Sequence, residues 1–361
     1  MKRKTRVGLL TSGGDCQGLN AAIRGVGKTL YQYVDNIEIF GMYDGYRGLI
    51  ENDYQYMRPI DFSGIISTGG TILGTSRQPY IPGKAIVDHE GNDVMPAMLD
   101  TYNRLNLDCL VVLGGNGTQK SAKLLQDAGM NIITLPKTID NDIYGTDETF
   151  GFQSAADIAT TVIDCIHSTA LAHRRIFLVE VMGRDAGWLT LTAGIAGGAD
   201  AILIPEIPYD IESVARTIER RKKEGRTFSI IAVAEGAISK EDKILSEEER
   251  RRLKEANPYS TISYRIAADL KRATGQETRV TVPGHYQRGG PACPYDRVLA
   301  TRFGVAAARL IMERQYGYMI GVQSGKIVRV PLEEAASQTK FLPTDHPLIQ
   351  TARDTGAGFG D

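Results

Sequence analysis

The sequence predicts an α/β protein built on largely parallel sheets, and three observations support that class. Short apolar runs alternate with stretches of helical periodicity along most of the 361 residues, as strands covered by helices on both faces require. Three of those runs end in the polar sequences TSGGDCQGLN (11–20), LGGNGTQK (113–120) and LPKTIDND (135–142), and an open α/β sheet binds its ligands at the carboxyl ends of its strands. The alternation also starts afresh after Phe150, in a chain too long for one ordinary core, so two units are expected.

Arg6–Leu10 reads as the first strand and Leu19–Tyr33 as a helix with apolar residues at helical spacing. Asn36–Phe40 is the next strand, followed by a helix at Pro96–Leu105, a buried strand at Asp108–Leu113, a helix at Thr118–Ala128 and a strand at Asn131–Leu135. In the second unit Ala155–Leu171 reads as a long helix, Arg175–Val181 as a strand running into MGRDAGW, and Asp185–Ala196 as a helix. Ala201–Ile204, Ser229–Ala234 and Val280–Val282 supply further strands. Two segments break the pattern: Glu235–Asn257 is strongly charged and reads as a solvated helix, and Met319–Pro331 reads as a hairpin around Ser324-Gly325. The glycine-rich end, TARDTGAGFGD, is expected to be a poorly ordered tail.

A formal net charge of −1 removes any bulk electrostatic case for nucleic acid or membrane as the main partner. The basic start MKRKTR is followed by an apolar run, Val7–Leu10, far too short for a signal peptide, and no stretch approaches the ~18 apolar residues of a membrane-spanning helix. Cys16, Cys109, Cys165 and Cys293 are scattered without a CxxC pair, which predicts free thiols in a reduced, cytoplasmic setting. Cys16 lies in a glycine loop near a helix start, where a thiol pKa can fall; the expectation adopted is that it is inert.

The first two motifs place glycines where backbone can approach phosphate oxygens, and each leads into a helix whose N-terminal N–H groups favour an anion. Neither matches GxxxxGK[ST] or GxGxxG, so phosphate binding here follows a different solution from either fingerprint. In TIDND, Asp140 and Asp142 stand two residues apart beside Lys137, a spacing costly to hold unless a cation or a proton transfer uses it. Asp140, closer to the strand end, is the better base candidate. Arg175, Arg184, Arg279, His285 and Arg288 fall at strand starts and ends of the second unit, which suits bidentate capture of a phosphorylated substrate. A phosphate cradle, a metal-binding oxygen, a base and a cation are what phosphoryl transfer to a hydroxyl requires.

With these residues in hand, the chain resembles the 6-phosphofructokinases along roughly residues 5–330: TSGGD, YDGYRGL, GGTILGTSR, GGNGT, TIDND, EVMGR, GHYQRGG and PYDR occur in the family's order. The resemblance implies transfer of a phosphoryl group to the 1-hydroxyl of fructose 6-phosphate. It implies two Rossmann-like three-layer domains with largely parallel sheets and an active-site cleft between them. Residues 1–150 plus about 289–340 would bind ATP and magnesium, and 151–288 plus the tail 341–361 the sugar phosphate. Asp140 resembles the base, with Thr138 beside it; Lys137 and Arg184 would stabilise the transferring group. Gly14, Tyr46, Arg77, Gly115, Gly117 and Thr118 resemble donor-binding positions. Met182, Gly183, Arg184 and Glu235 resemble the sugar-binding set, and His285 and Arg288 its 6-phosphate ligands. Arg175 and Arg279 match arginines that reach the substrate from a neighbouring subunit, which implies a homodimer or homotetramer with shared active sites.

Three departures from the family pattern bear on function. Asn116 stands where the family usually has an aspartate associated with magnesium, so the metal is expected to be shared among Asn116, Asp142 and the phosphates. Relatives that use pyrophosphate pair a lysine in PKTIDND with a second aspartate after GGD, whereas ATP users have glycine at that second place. This chain has Lys137 and Gly117. An aspartate at 117 would crowd and repel the α-phosphate of a nucleotide, so Gly117 leaves room for ATP, the expected donor. Pyrophosphate is the alternative, and a non-catalytic sugar-phosphate-binding paralogue the lesser one. Lastly, Arg24 and Asp200 fit an effector site between subunits, but Lys28 replaces the usual arginine and the segment around Arg58 does not align cleanly.

Overall fold

The computed structural model describes residues 3–77, 80–81, 85–256 and 259–361. In chain order the strands are β1 Thr5–Thr11, β2 Ile37–Met42, β3 Tyr54–Tyr56, β4 Tyr80–Ile81, β5 Ala85–Ile86, β6 Cys109–Gly114, β7 Ile132–Pro136, β8 Ile176–Val181, β9 Ala201–Leu203, β10 Ser229–Ala234, β11 Thr278–Thr281, β12 Tyr318–Gln323 and β13 Lys326–Pro331. The chain divides into two compact units, Met1–Ser154 with Arg288–Lys340, and Ala155–Gln287 with Phe341–Asp361.

The first unit is organised by a seven-stranded sheet of order β13-β12-β7-β6-β1-β2-β3. Its inner pairs are parallel, while β3 and β13 run antiparallel at the edges. Every residue of β6 and β7 is buried, as expected of strands covered on both faces. On one face the helices Tyr46–Glu51, Met95–Arg104 and Asn116–Asp127 pack over Leu10, Met42, Leu110, Val112 and Ile132. On the other, Leu19–Tyr33 and Pro294–Met312 lie so close that a Cβ at Gly304 would come 2.4 Å from the Ala22 oxygen. From β1 the chain turns outward to β2, and from β6 it turns the other way to β7. The gap between β1 and β6 is therefore a topological switch point. Thr11 pairs with Leu113, and Gly114 with Pro136, so the three polar motifs leave the sheet at one edge.

The second unit has a four-stranded sheet of order β11-β8-β10-β9, parallel throughout. Its core gathers Ile176, Leu178, Leu203, Val214, Ile231, Val233, Ile266 and Leu270. The helices Ile211–Lys223 and Ile262–Thr274 supply Val214, Ile266 and Leu270. The hairpin expected at 319–331 belongs to the first unit and forms as β12 and β13. Ser324 (φ 49°) and Gly325 (φ 76°) turn it, the two positive φ values of a tight hairpin loop.

Two expectations are corrected. The charged segment is not one helix: it forms one turn at Lys240–Lys243 and a separate helix at Glu247–Ala256, with Asn257 outside the described residues. Asp242 of the short turn is held by Arg265 at 2.5 Å, which fixes the turn apart from the helix that follows. The glycine-rich end is not a loose tail. A helix at Pro347–Asp354 leads into an extended stretch that bridges Gly358 to Ala201 beside β9. Phe359 is 1% exposed under the Arg353 guanidinium, and Asp361 pairs with Arg353. Apolar burial and edge pairing outweigh the glycine content there. Among the described residues no helix is long and apolar enough to cross a membrane.

Candidate active site

The first unit brings its three motifs together. Gly13, with φ 83°, turns the chain out of β1, and a Cβ there would lie 3.6 Å from Lys137 Nζ and 3.7 Å from Thr118 Oγ1. Residues of all three loops thus surround one glycine. The Lys137 ammonium donates to the Gly14 oxygen. A Cβ at Gly14 would come 2.6 Å from Arg288 Nη1, so glycine is what admits the guanidinium there. A bridge from Ser12 to Ser76 and the bond from Gly13 N–H to the Ser76 oxygen (3.0 Å) lay the GTSR segment alongside, with Arg77 exposed beyond it.

The second loop opens the helix Asn116–Asp127, with Gly115 as its N-cap. The first intrahelical donor is Gln119, to the Gly115 oxygen. The N–H groups of Asn116, Gly117 and Thr118 therefore form the helix's anion-favouring end, and Gly117 is exposed there. In the third loop Thr138 Oγ1 accepts from the Asp140 N–H at 3.1 Å. Asn116 Nδ2 donates to Asp142 Oδ2 at 2.6 Å and to the Asp142 main-chain oxygen at 3.1 Å. The two expected metal residues are thus neighbours, and both offer hard oxygen donors. Among the described residues no group of three or more His, Cys, Asp or Glu is placed to hold a metal. The set fits a divalent cation that takes most of its oxygens from phosphates, as magnesium in such sites does.

In the second unit Met182, Gly183 and Arg184 leave β8 at its carboxyl end, next to Glu235 at the end of β10, whose N–H donates to the Val181 oxygen. A Cβ at Gly236 would sit 1.8 Å from the Arg184 oxygen, so the two loops are pressed together at that point. The Arg184 side chain is 84% exposed, available to a ligand. His285 lies on the short helical turn Gly284–Arg288 after β11. Gln287, fully buried, joins this turn to the MGR loop by accepting from Met182 N–H at 3.2 Å and donating to the Gly284 oxygen at 3.1 Å.

Arg175 and Arg279 are not at that edge. Arg175 precedes the first residue of β8, and Arg279 pairs with Phe177 in the register of β11. Six residues of strand separate Arg175 from Val181, roughly 20 Å. Arg279 is engaged with Glu277 at 3.1 Å.

The structure gives four further residues these surroundings. Tyr46, expected at the donor phosphates, is 1% exposed, and its hydroxyl donates to the Thr118 oxygen at 3.3 Å, propping the helix start. Lys137 is 4% exposed with its ammonium turned into the first glycine loop, and burial pushes its pKa down. Arg288 lies with the first unit, not the second. Asp200, expected at an effector site, pairs with Arg221 at 2.7 Å and accepts from Ile230 N–H at 2.9 Å. Cys16 is buried, and its thiol pKa is pushed up to about 12 by that burial, which accords with the inert reading. Glu206 escaped sequence reasoning altogether: its carboxylate accepts from the N–H groups of Gly187 (3.0 Å) and Leu342 (3.0 Å), holding the chain just past MGRDA. A lone glutamate after Pro205 carries no spacing signal that would reveal this.

Comparison with known proteins gives this chain's relatives. A family model described as Phosphofructokinase matches residues 6–311. The ATP-dependent 6-phosphofructokinase of Spirochaeta thermophila is 56% identical over 356 residues, covering 98% of this chain and 97% of that protein. The ATP-dependent 6-phosphofructokinase of Propionibacterium freudenreichii subsp. shermanii is 48% identical, with 99% of each covered. Among solved structures, the T-state phosphofructokinase of Pichia pastoris superposes with a TM-score of 0.80 at 32% identity over 99% of this chain. This chain spans 37% of the length of that yeast chain. The pyrophosphate-dependent phosphofructokinase of Marinobacter aquaeolei shares the fold, with a TM-score of 0.78 at 23% identity, covering 98% of this chain and 88% of that one.

Proposed function

Because the chain belongs to the phosphofructokinase family, we propose that it is an ATP-dependent 6-phosphofructokinase, moving the γ-phosphoryl group of ATP to the 1-hydroxyl of fructose 6-phosphate. The observation that carries this reading is the meeting of the Gly13–Gly14 loop, Thr118 and Lys137 at one switch point. Glycine backbone and a helix N-terminus there suit donor phosphates. Asp140, at the same edge, takes the proton of the sugar hydroxyl, and Thr138 braces its main chain. Lys137 and Arg288 supply positive charge to the glycine loop where negative charge shifts during transfer. Asn116 and Asp142 would hold a magnesium ion together with the donor phosphates, and that ion supplies charge neutralisation.

Met182, Gly183, Arg184 and Glu235 bind the sugar, with His285 toward its 6-phosphate. Arg175 precedes β8 and Arg279 lies in the amino half of β11, both away from the sugar loop, which supports their service to a second subunit in a homo-oligomer. The free cysteines and the absence among the described residues of a membrane-length helix accord with a cytoplasmic location.

Donor choice rests on Gly117, exposed at the helix start, where an aspartate would repel a nucleotide's α-phosphate. Pyrophosphate is the second reading, favoured by Lys137. Initial rates with fructose 6-phosphate and magnesium, comparing ATP and pyrophosphate at equal concentration, decide between them. A large preference for ATP is expected; a preference for pyrophosphate overturns the donor assignment, and no rate with either overturns the enzyme reading. Asp140→Ala should then cost about 10²–10⁴ in kcat, with substrate affinities little changed.

A further inference from the structure

Lys340 stands far from every motif in sequence, yet both its main chain and its side chain hold the loop that carries Asp140 and Asp142. Its N–H donates to the Asp142 oxygen at 2.7 Å, next to an antiparallel bridge between Thr339 and Ile143. Its ammonium donates to Asn141 Oδ1 at 3.2 Å and to the main-chain oxygens of Thr146 and Asp147 at 2.9 Å each. The chain from Lys137 to Gly151 lies between β7 and the helix Phe152–His173, so outside a few bonds to neighbouring strands, such as Asp147 N–H to the Val322 oxygen of β12 at 2.8 Å, side chains must order its backbone polar groups.

The loop supplies part of its own order. Thr149 Oγ1 donates to the Thr138 oxygen at 2.7 Å, Thr149 N–H to Asn141 Oδ1 at 3.0 Å, and Asn141 Nδ2 to the Asp147 oxygen at 3.1 Å. Asn141 itself sits at φ 51° and is 5% exposed, a conformation that persists only when its surroundings over-determine it. The Lys340 ammonium supplies a long-range part of that determination, through charge-assisted bonds to three oxygens of the turn; β12 supplies another, with Val322 N–H donating to Thr146 Oγ1 at 3.0 Å.

We propose that Lys340 is a positioning residue for the transfer reaction: by clamping Asn141, Thr146 and Asp147 it fixes the turn between Asp140 and Asp142 and so aims the base. The proposal rests on the phosphofructokinase reading. A general base must sit within hydrogen-bond reach of the proton it takes, and displacement of a reacting group by about 1 Å can cost on the order of 10²-fold in rate. The glycine and TIDND motifs give no hint of this partner, because its targets on the loop are carbonyl and amide oxygens rather than a charged counterpart.

The test begins with wild-type turnover of fructose 6-phosphate and ATP, since absence of that activity defeats the functional reading alone. Lys340→Met should lower kcat about 10- to 100-fold, with KM for both substrates within about threefold of wild type. Lys340→Gln, which keeps a donor, should recover part of the loss. In an Asp140→Asn background the same Lys340→Met change should cost nothing further, because a residue that acts through Asp140 has nothing left to position. A kcat within threefold of wild type in Lys340→Met overturns the proposal, as does an equal loss in the Asp140→Asn background. If Lys340→Met does not fold, Lys340→Gln carries the same comparison; failure of both to fold would assign Lys340 to stability and overturn a positioning role.

Discussion

Asn116 donates its amide hydrogen to Asp142 Oδ2 at 2.6 Å, where an aspartate at 116 would set two carboxylates against each other. The asparagine trades negative charge at the metal position for a neutral contact that holds the loop together without a cation. Asn116→Asp should therefore lower the magnesium concentration giving half-maximal rate several-fold. Without metal it should destabilise the first unit by about 1 kcal/mol, the worth of one hydrogen bond. A magnesium titration and melting in EDTA read the two effects; an unchanged magnesium requirement would remove Asn116 from the metal site.

Arg175 and Arg279 lie in the amino half of their sheet, roughly 20 Å and roughly 13 Å of strand from the sugar loop respectively. If they serve a second subunit, a mixed oligomer of Asp140→Ala and Arg279→Ala chains contains sites with both defects and sites with neither. Mixing the two impaired variants should restore activity well above either parent. Additive activity after mixing, with exchange verified by tagged subunits, would mean that each site draws all its residues from one chain.

Burial raises the Cys16 thiol to about 12, so at pH 8 the thiolate is a minute fraction. Cys165, exposed, should react with iodoacetamide in the native protein while Cys16 reacts only after denaturation, as peptide mapping would show. Rapid native alkylation of Cys16 would contradict the packing of the first glycine loop.

The carboxyl-terminal stretch should behave as structure. Phe359→Ala removes a fully buried ring and should cost about 3 kcal/mol. Asp361→Asn should cost only about 0.5 kcal/mol, because its partner Arg353 is partly exposed and the pair is screened. Arg353 lowers the Asp361 pKa in the folded protein, so the pair's contribution is present above the unfolded carboxyl's ordinary value of about 4. It is lost as pH falls through the lower folded value. Melting curves of wild type and Asp361→Asn should therefore differ at pH 7 and converge below about pH 4; a difference that persists in acid would deny the ion pair any role.

Local sequence determined the strand–loop–helix order, the three polar junctions and the identity of their residues. Glycine spacing, apolar alternation and paired aspartates are signals carried by neighbours in the chain, and the central strands formed within a residue or two of their expected ends. Tertiary structure decided what those signals cannot encode. It laid Arg288 against Gly14 and turned the Lys137 ammonium into a loop oxygen. It withdrew Tyr46 into the core, docked a glycine-rich end beside β9, and brought Lys340 onto a turn some two hundred residues earlier in the chain. In several of these cases the partner is a main-chain oxygen or a packed surface, which has no residue-type signature. Such contacts exist only once distant segments have been packed together, and they decide which polar side chains face a substrate and which hold the loops that do.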